Sequence, residues 1–490
     1  MTFSPDGTEL YYAIKANLDT GTLYRIPVLG GTPVKVLEKI DGPISFSPDG
    51  KEFVLVRGNY PNTGESALVI ANIDGTGERT LVVKKSPQRF TPIFFTGPSW
   101  SPDGKVIAAA VAIVGGQTKI VGFSPNDGSE KDLSPASWAY AARAQWLPDM
   151  TALLLIAGDS PATSQVWIVG YPDGRARRVT NDLSAYRAIG LTQDGRTLTT
   201  VQAVGLVNLW VAPDGKADKA IRLPTGNISF YASSGNNLSW APDGRIVFVS
   251  NESGNADLWI ADPDGSNRKQ LTSNNANNFS PVVSTDGRLI VFTSWQGGRR
   301  NLWRMNIDGS NPVRLTSGLV DAGPALTPDN RWVVYTTFEG VKPQLWKVSI
   351  DGGKPVQVTD HVTASAIVSP DGRFIAYTYP ESADPNAPPN RMAVIPFEGG
   401  PPLKTFEISS SGTVLTLSQW ATDGKSIFYT ITTNNVTNIW SQSLDGGPPK
   451  QVTDFKDLFM TSFAWSRDGK QLACTRGALV RDAILITDTK

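Results

Sequence analysis

Residues 282–316 read VVSTDGRLIVFTSWQGGRRNLWRMNIDGSNPVRLT, and the spacing of apolar residues in this stretch resolves into four short strands. Val282-Val283-Ser284 runs into Thr285-Asp286-Gly287, a tight turn in which glycine supplies the positive φ that closes a hairpin. Leu289 to Ser294 is apolar, β-branched or aromatic at nearly every position, the composition of a strand buried on both faces. After a polar loop at 296–300, Leu302 to Asn306 alternates apolar and polar residues with the period of two expected for a strand with one wet face. Asp308-Gly309 turns the chain again, and Val313 to Thr316 is short enough for an outer edge strand. Four such strands cannot cover their own faces, so neighbouring copies must do so.

Copies run the length of the chain. The aspartate of the first turn recurs at Asp6, Asp49, Asp103, Asp149, Asp194, Asp243, Asp286, Asp329, Asp371, Asp423 and Asp468, eleven units spaced 42 to 54 residues apart. That period is the length of one four-stranded propeller blade. Glycine follows the aspartate except at Met150 and Asn330. Asparagine tolerates the left-handed conformation and methionine does not, so the fourth unit is expected to have a distorted turn. Trp167, Trp210, Trp259, Trp303, Trp346 and Trp440 fall on third strands, and Trp100, Trp146, Trp240, Trp420 and Trp465 fall just before the first turn. Large aromatics at equivalent sheet positions suit packing of one blade on the next.

The expected fold class is all-β: tandem β-propellers of four-stranded antiparallel blades. Eleven blades exceed the four to eight of a usual ring, so the chain divides into an N-terminal propeller over 1–215, with about five blades, and a six-bladed propeller over 216–490. A seven-plus-four partition or one larger ring are the alternatives. Met1 opens inside an innermost strand, from which about one blade of the first ring is expected to be absent. The last unit runs out at Ala483 to Thr487, read as a third strand, and Ala220-Ile221-Arg222-Leu223 is expected to add the missing fourth strand and close the second ring.

Composition narrows function. Forty-five basic and forty-five acidic residues, with no block of like charge, give no electrostatic basis for nucleic-acid binding. No apolar run approaches the ~20 residues of a membrane-spanning helix. Cys474 is the single cysteine and reads as a buried thiol, so no internal disulfide can form. His361 is the single histidine; with no G-x-S-x-G elbow, neither a catalytic triad nor a histidine-based metal cluster is expected. The turn aspartates repeat once per blade, too far apart to share one cation, and read as turn formers. No catalytic residue, metal site or cofactor is therefore expected.

The remaining candidates lie on loops between outer and next inner strands and between second and third strands, which gather on one propeller face. They are Tyr231, Asn277, Asn278, Phe279, Arg299, Arg300, Asp321, His361 and Phe459, with the proline-rich loop from Glu381 to Arg391 beside them.

The pattern F-S-P-D-G-K, L-W, D-G-S-N and R-L-T resembles the TolB-type (PD40) propeller repeat across essentially the whole chain. The C-terminal run Ile439 to Thr453, followed by Phe463 to Lys470, resembles the extracytoplasmic propeller region of certain bacterial transmembrane serine/threonine protein kinases and the related tails of transmembrane winged-helix regulators. The resemblance implies a non-catalytic module that binds a protein, peptide or small ligand on a loop face. It would be the monomeric sensor region of a larger bacterial signalling protein, periplasmic where an upstream span anchors it. The alternatives are a propeller enzyme with an oxygen-ligated metal in its channel, or the gating propeller of a prolyl-oligopeptidase-like peptidase.

Overall fold

The computed structural model describes residues 1–15, 21–62, 64–90, 97–113, 117–158, 164–182, 184–192, 194–216, 219–223, 237–338, 343–363, 365–380, 390–408 and 413–487, with side chains left undescribed at 15, 298 and 413–417. Among these residues there is no α-helix, and antiparallel four-stranded sheets recur as the repeat requires. The chain forms two compact units, 1–204 with 480–490, and 205–479. We number the sheets one to eleven by the turn aspartates given above.

The first turn shows why its residues recur. In all eleven copies the aspartate Oδ1 accepts the N–H two residues on, from Thr8 at Asp6 to Lys470 at Asp468. In eight copies a serine or threonine two residues earlier donates its hydroxyl to the same oxygen. These bonds hold the carboxyl of Asp371 down to about 2, with the Ser369 hydroxyl the largest cause. The proline of one turn also packs against the turn glycine of the next sheet, Pro242 on Gly287 and Pro328 on Gly372 among them. Met150 is a correction: its turn closes with the same hydrogen bonds, Met150 N–H to Leu147 O at 3.0 Å, and the cost appears as a φ of 59° on a residue with a Cβ.

In unit two, sheet six is Leu238–Trp240, Ile246–Ser250, Asp257–Ala261 and Lys269–Gln270, and sheets seven to ten repeat that order outward from an inner strand. Six apolar clusters join six sheets in cyclic order, the last packing Val207, Leu209 and Ala473 of sheet eleven on Leu238, Ile246 and Phe248 of sheet six. Trp240 Nε1 donates to Ala464 O at 2.9 Å and the Asn237 N–H to Ser462 Oγ at 2.8 Å, so first and last sheets are locked to each other. Trp146 and Trp420 clasp the preceding inner strand in the same way, which is the packing role that the tryptophan register implied.

Sheet eleven departs from expectation. Leu472–Thr487 is one continuous strand, and its one glycine, Gly477, sits at a close approach where a Cβ would collide with the Leu206 carbonyl. In unit two its neighbour is 205–212, the second half of the strand Thr197–Ala212. Ile221–Arg222 then pairs with Val211 and Trp210 rather than with 483–487. Trp210 thus serves as the third-strand tryptophan of sheet eleven, and the closure borrows two strands from before the ring instead of one.

Unit one has five sheets joined by four apolar clusters, from Tyr11 and Leu23 against Phe53 and Leu55, to Leu154 and Ile156 against Tyr186, Ile189 and Leu198. Its fifth sheet holds Ala185–Leu191, 197–204 and 480–487, and Ile486 packs into the last cluster.

Candidate functional site: the channel and loop face of unit two

Ring closure brings the six inner strands of unit two around one cavity of 270 Å³. Its wall is shaped by β-bulges. In sheet seven the register slips between Phe279 and Val282, and in sheet eight between Ala322 and Ala325. A bulge leaves residues unpaired and re-aims their side chains, and here those residues, Ser280-Pro281 and Gly323-Pro324, line the cavity. Ser280 takes a φ of 52° to do so. Ser365, Gln419 and Trp465 complete much of the wall, and Arg467 at the turn end is the one charged residue on it among the described residues. Some of this polarity is structural: Gln419 Oε1 accepts the Trp465 N–H at 2.8 Å and Ser239 Oγ the Val283 N–H at 3.1 Å. The channel therefore offers neutral donors and acceptors beside apolar surface. Among the described residues no carboxylate lines it, and no three histidine, cysteine or acidic side chains cluster closely enough to hold a metal.

The loop face is built on buried polar networks. In three of the R-L-T-like triplets of unit two the threonine accepts a third-strand N–H: Thr272 from Leu258 at 2.9 Å, Thr316 from Leu302 at 3.0 Å and Thr453 from Ile439 at 2.9 Å. Thr272 also donates to Asp257 Oδ1 at 2.7 Å. Asn278 is fully buried and donates to Asp257 Oδ1, Asn274 Oδ1 and Ala276 O, which fixes the 272–278 loop. Asn277 is buried too, with Oδ1 accepting the Ala256 N–H at 3.0 Å, and Phe279 belongs to the apolar cluster between sheets six and seven. Asp321 is buried and accepts from Asn301 Nδ2 at 3.1 Å and from the Gly318 N–H at 3.0 Å. Arg300 is buried above it; desolvation brings its guanidinium down to about 10 while Asp321 pulls the other way. Phe459 is half-buried against the closing cluster of sheets eleven and six.

Of the sequence candidates, Asn277, Asn278, Phe279, Arg300 and Asp321 are therefore buried in the frame beneath the loops. Arg299 and His361 are exposed. His361 stands with Asp360, its Nε2 4.0 Å from that carboxylate, at the lip of a 460 Å³ groove shared with Gln357, Gly400 and Pro401. Tyr231 and residues 381–389 lie outside the described residues. Cys474 is fully buried, and burial pushes its thiol up to about 12.

Residues 240–387 match the family described as the TolB beta propeller domain. The match begins on the inner strand of sheet six and extends past the second strand of sheet nine, Phe374–Tyr379. The chain is 47% identical over 45 residues to the Tol-Pal system protein TolB of Geobacter sulfurreducens, which covers 9% of this chain and 10% of that protein. It is 46% identical over 46 residues to a protein TolB homolog of Chlorobaculum tepidum, covering 9% and 11%. The chain thus spans about a tenth of the length of the curated relatives it matches. The crystal structure of TolB from Acinetobacter baumannii superposes with a TM-score of 0.37 at 14% identity, covering 81% of this chain and 82% of that one. The assignment as TolB-type propeller sheets rests on the strand pairing and the matched domain.

The channel-lining residues were not singled out in the sequence. Their signal is positional, since Ser280 and Gly323 each stand six residues ahead of a turn aspartate, Asp286 and Asp329. Applied to unit one, the same rule points to Arg143, six residues ahead of Asp149.

Proposed function

We propose that this chain is a non-catalytic TolB-like β-propeller module that binds a protein, peptide or small ligand on the loop face of its second unit. In this reading it is the interaction or sensor region of a larger bacterial signalling protein, carried outside the cytoplasm by an anchoring span, and it acts as a single copy. The observation that carries the reading is the buried Asp257–Thr272–Asn278 network and its counterpart at Asn301, Thr316 and Asp321. These networks, with the Thr359 hydroxyl that accepts the His361 N–H, anchor the bases of polar loops while Arg299 and His361 stay exposed, and pre-organisation lowers the entropy lost on binding. The TolB-type domain match supports a binding role over this same region.

The test is selection of a random peptide library on the immobilised full chain, followed by titration of the recovered peptides against Arg299→Glu and His361→Ala variants. Loss of about tenfold or more in affinity, near 1.4 kcal/mol, with either variant supports the loop face. Peptides that bind both variants as tightly as the parent chain sink it.

A further inference from the structure

The inner strands of unit one carry the same bulges as those of unit two, with different residues in them. In sheet four the register slips between Ala141 and Ala144, and in sheet five between Tyr186 and Ile189. The residues released from pairing are Ala142-Arg143 and Arg187-Ala188, where unit two has Ser280-Pro281 and Gly323-Pro324. Two successive sheets therefore place an arginine within the released pair, Arg143 six residues ahead of Asp149 and Arg187 seven ahead of Asp194, where a bulge re-aims side chains.

Both arginines reach one cavity of 420 Å³ within unit one, the size of a small-molecule site. Its other walls are largely apolar or aromatic, with Tyr11, Tyr12, Leu23 and Ile44 prominent. Asp41 is the carboxylate on the wall, and it accepts the Gly58 N–H at 2.7 Å. Arg187 is 7% exposed. Arg143 makes no ion pair or hydrogen bond among the described residues, and burial alone lowers its guanidinium from the ordinary value. The half-buried guanidinium of Arg143 is thus without an anion among the described residues, and a planar oxyanion is the group that matches its fork of donors.

We infer that this cavity is a binding site for a small organic carboxylate bearing an apolar or aromatic group, with Arg143 and Arg187 facing the carboxylate and Tyr12, Leu23 and Ile44 facing the apolar part. The inference does not depend on the loop-face function of unit two, since every residue it uses lies in unit one.

Calorimetric titration of the full chain with 1-naphthoate, and with 1-naphthalenemethanol as its uncharged analogue, tests the site. The carboxylate is expected to bind about tenfold or more tightly than the alcohol. Arg143→Met is expected to remove that preference, Arg143→Lys to keep part of it, and Ser280→Ala, in the other channel, to leave it unchanged. Equal binding of acid and alcohol by the parent chain overturns the site without recourse to any variant. So does an undiminished preference in an Arg143→Met protein that melts like the parent.

Discussion

Unit one and unit two are built from the same sheet but treat their inner bulges differently. In unit two the unpaired residues are Ser280-Pro281 and Gly323-Pro324, and the cavity they line is neutral apart from Arg467. In unit one they include Arg143 and Arg187, and the cavity is largely apolar, with two guanidiniums and the Asp41 carboxylate on its wall. The lesson is that the repeat leaves the bulge free to vary. Turn hydrogen bonds hold every sheet, and tryptophan clasps or R-L-T threonines add to them in several, so residues six or seven positions before the turn can gain charge without disturbing the fold. Closure differs as well among the described residues: six apolar clusters join the six sheets of unit two, whereas four join the five sheets of unit one.

The largest expected effect concerns that second difference. Trp240→Ala removes a buried indole and its bond across the closure, and should cost about 3–5 kcal/mol in the unfolding of unit two. In urea titrations followed by limited proteolysis, fragments of 205–479 should appear at lower denaturant while those of 1–204 keep their midpoint. A common shift of both would show that closure is not local to unit two.

A smaller contrast separates the two non-glycine turns. Met150 in unit one and Asn330 in unit two both hold a φ of 59°. Met150→Gly should stabilise unit one by about 1 kcal/mol, since the left-handed region costs an ordinary L-residue roughly 1–2 kcal/mol. Asn330→Gly should change unit two by only a few tenths of that, because asparagine tolerates the conformation and its Oδ1 accepts the Thr285 N–H at 2.7 Å. Thermal melts of both variants decide the matter, and equal gains would remove the explanation.

The gentlest effect is shared. Turn carboxylates in both units, Asp6, Asp49, Asp286, Asp371 and Asp468 among them, are held below their ordinary range chiefly by hydroxyl hydrogen bonds. Depressed folded values mean that their stabilisation is complete above about pH 4, near the unfolded aspartate value, and is lost as pH falls toward 2. Melting temperatures should be level from pH 7 to 5 and decline between pH 4 and 2. An unchanged melting temperature across that lower range would show that the turns do not depend on the carboxylates.

Much of the fold was legible because its determinants are local. The Ser-Pro-Asp-Gly turn, the paired tryptophan registers and the R-L-T threonine each act within a few residues of themselves, and the structure gives each a hydrogen bond or packing contact. The channel was not legible, because a bulge depends on the register between two strands and leaves no mark in either alone. Polar loop residues misled for a related reason. Asn278 and Asp321 look like solvated loop residues by composition, yet they begin inner strands and are consumed by Asp257, Asn274, Asn301 and Gly318. The two 16-residue strands, Thr197–Ala212 and Leu472–Thr487, were read as pairs because the repeat period asks for a turn near their centres. Neither contains an Asp-Gly or Asn-Gly pair to make one.

Closure of unit two by 205–212 and Ile221–Arg222 beside 472–479 is the claim on which the channel depends. Amide hydrogen exchange of the intact chain tests it directly. Protection of 205–212 should match that of 472–479 and of the inner strands at 238–240 and 459–465, and the four segments should lose it together as denaturant is raised. Exchange of 205–212 at the rate of an unpaired loop, while the other three stay protected, would contradict it.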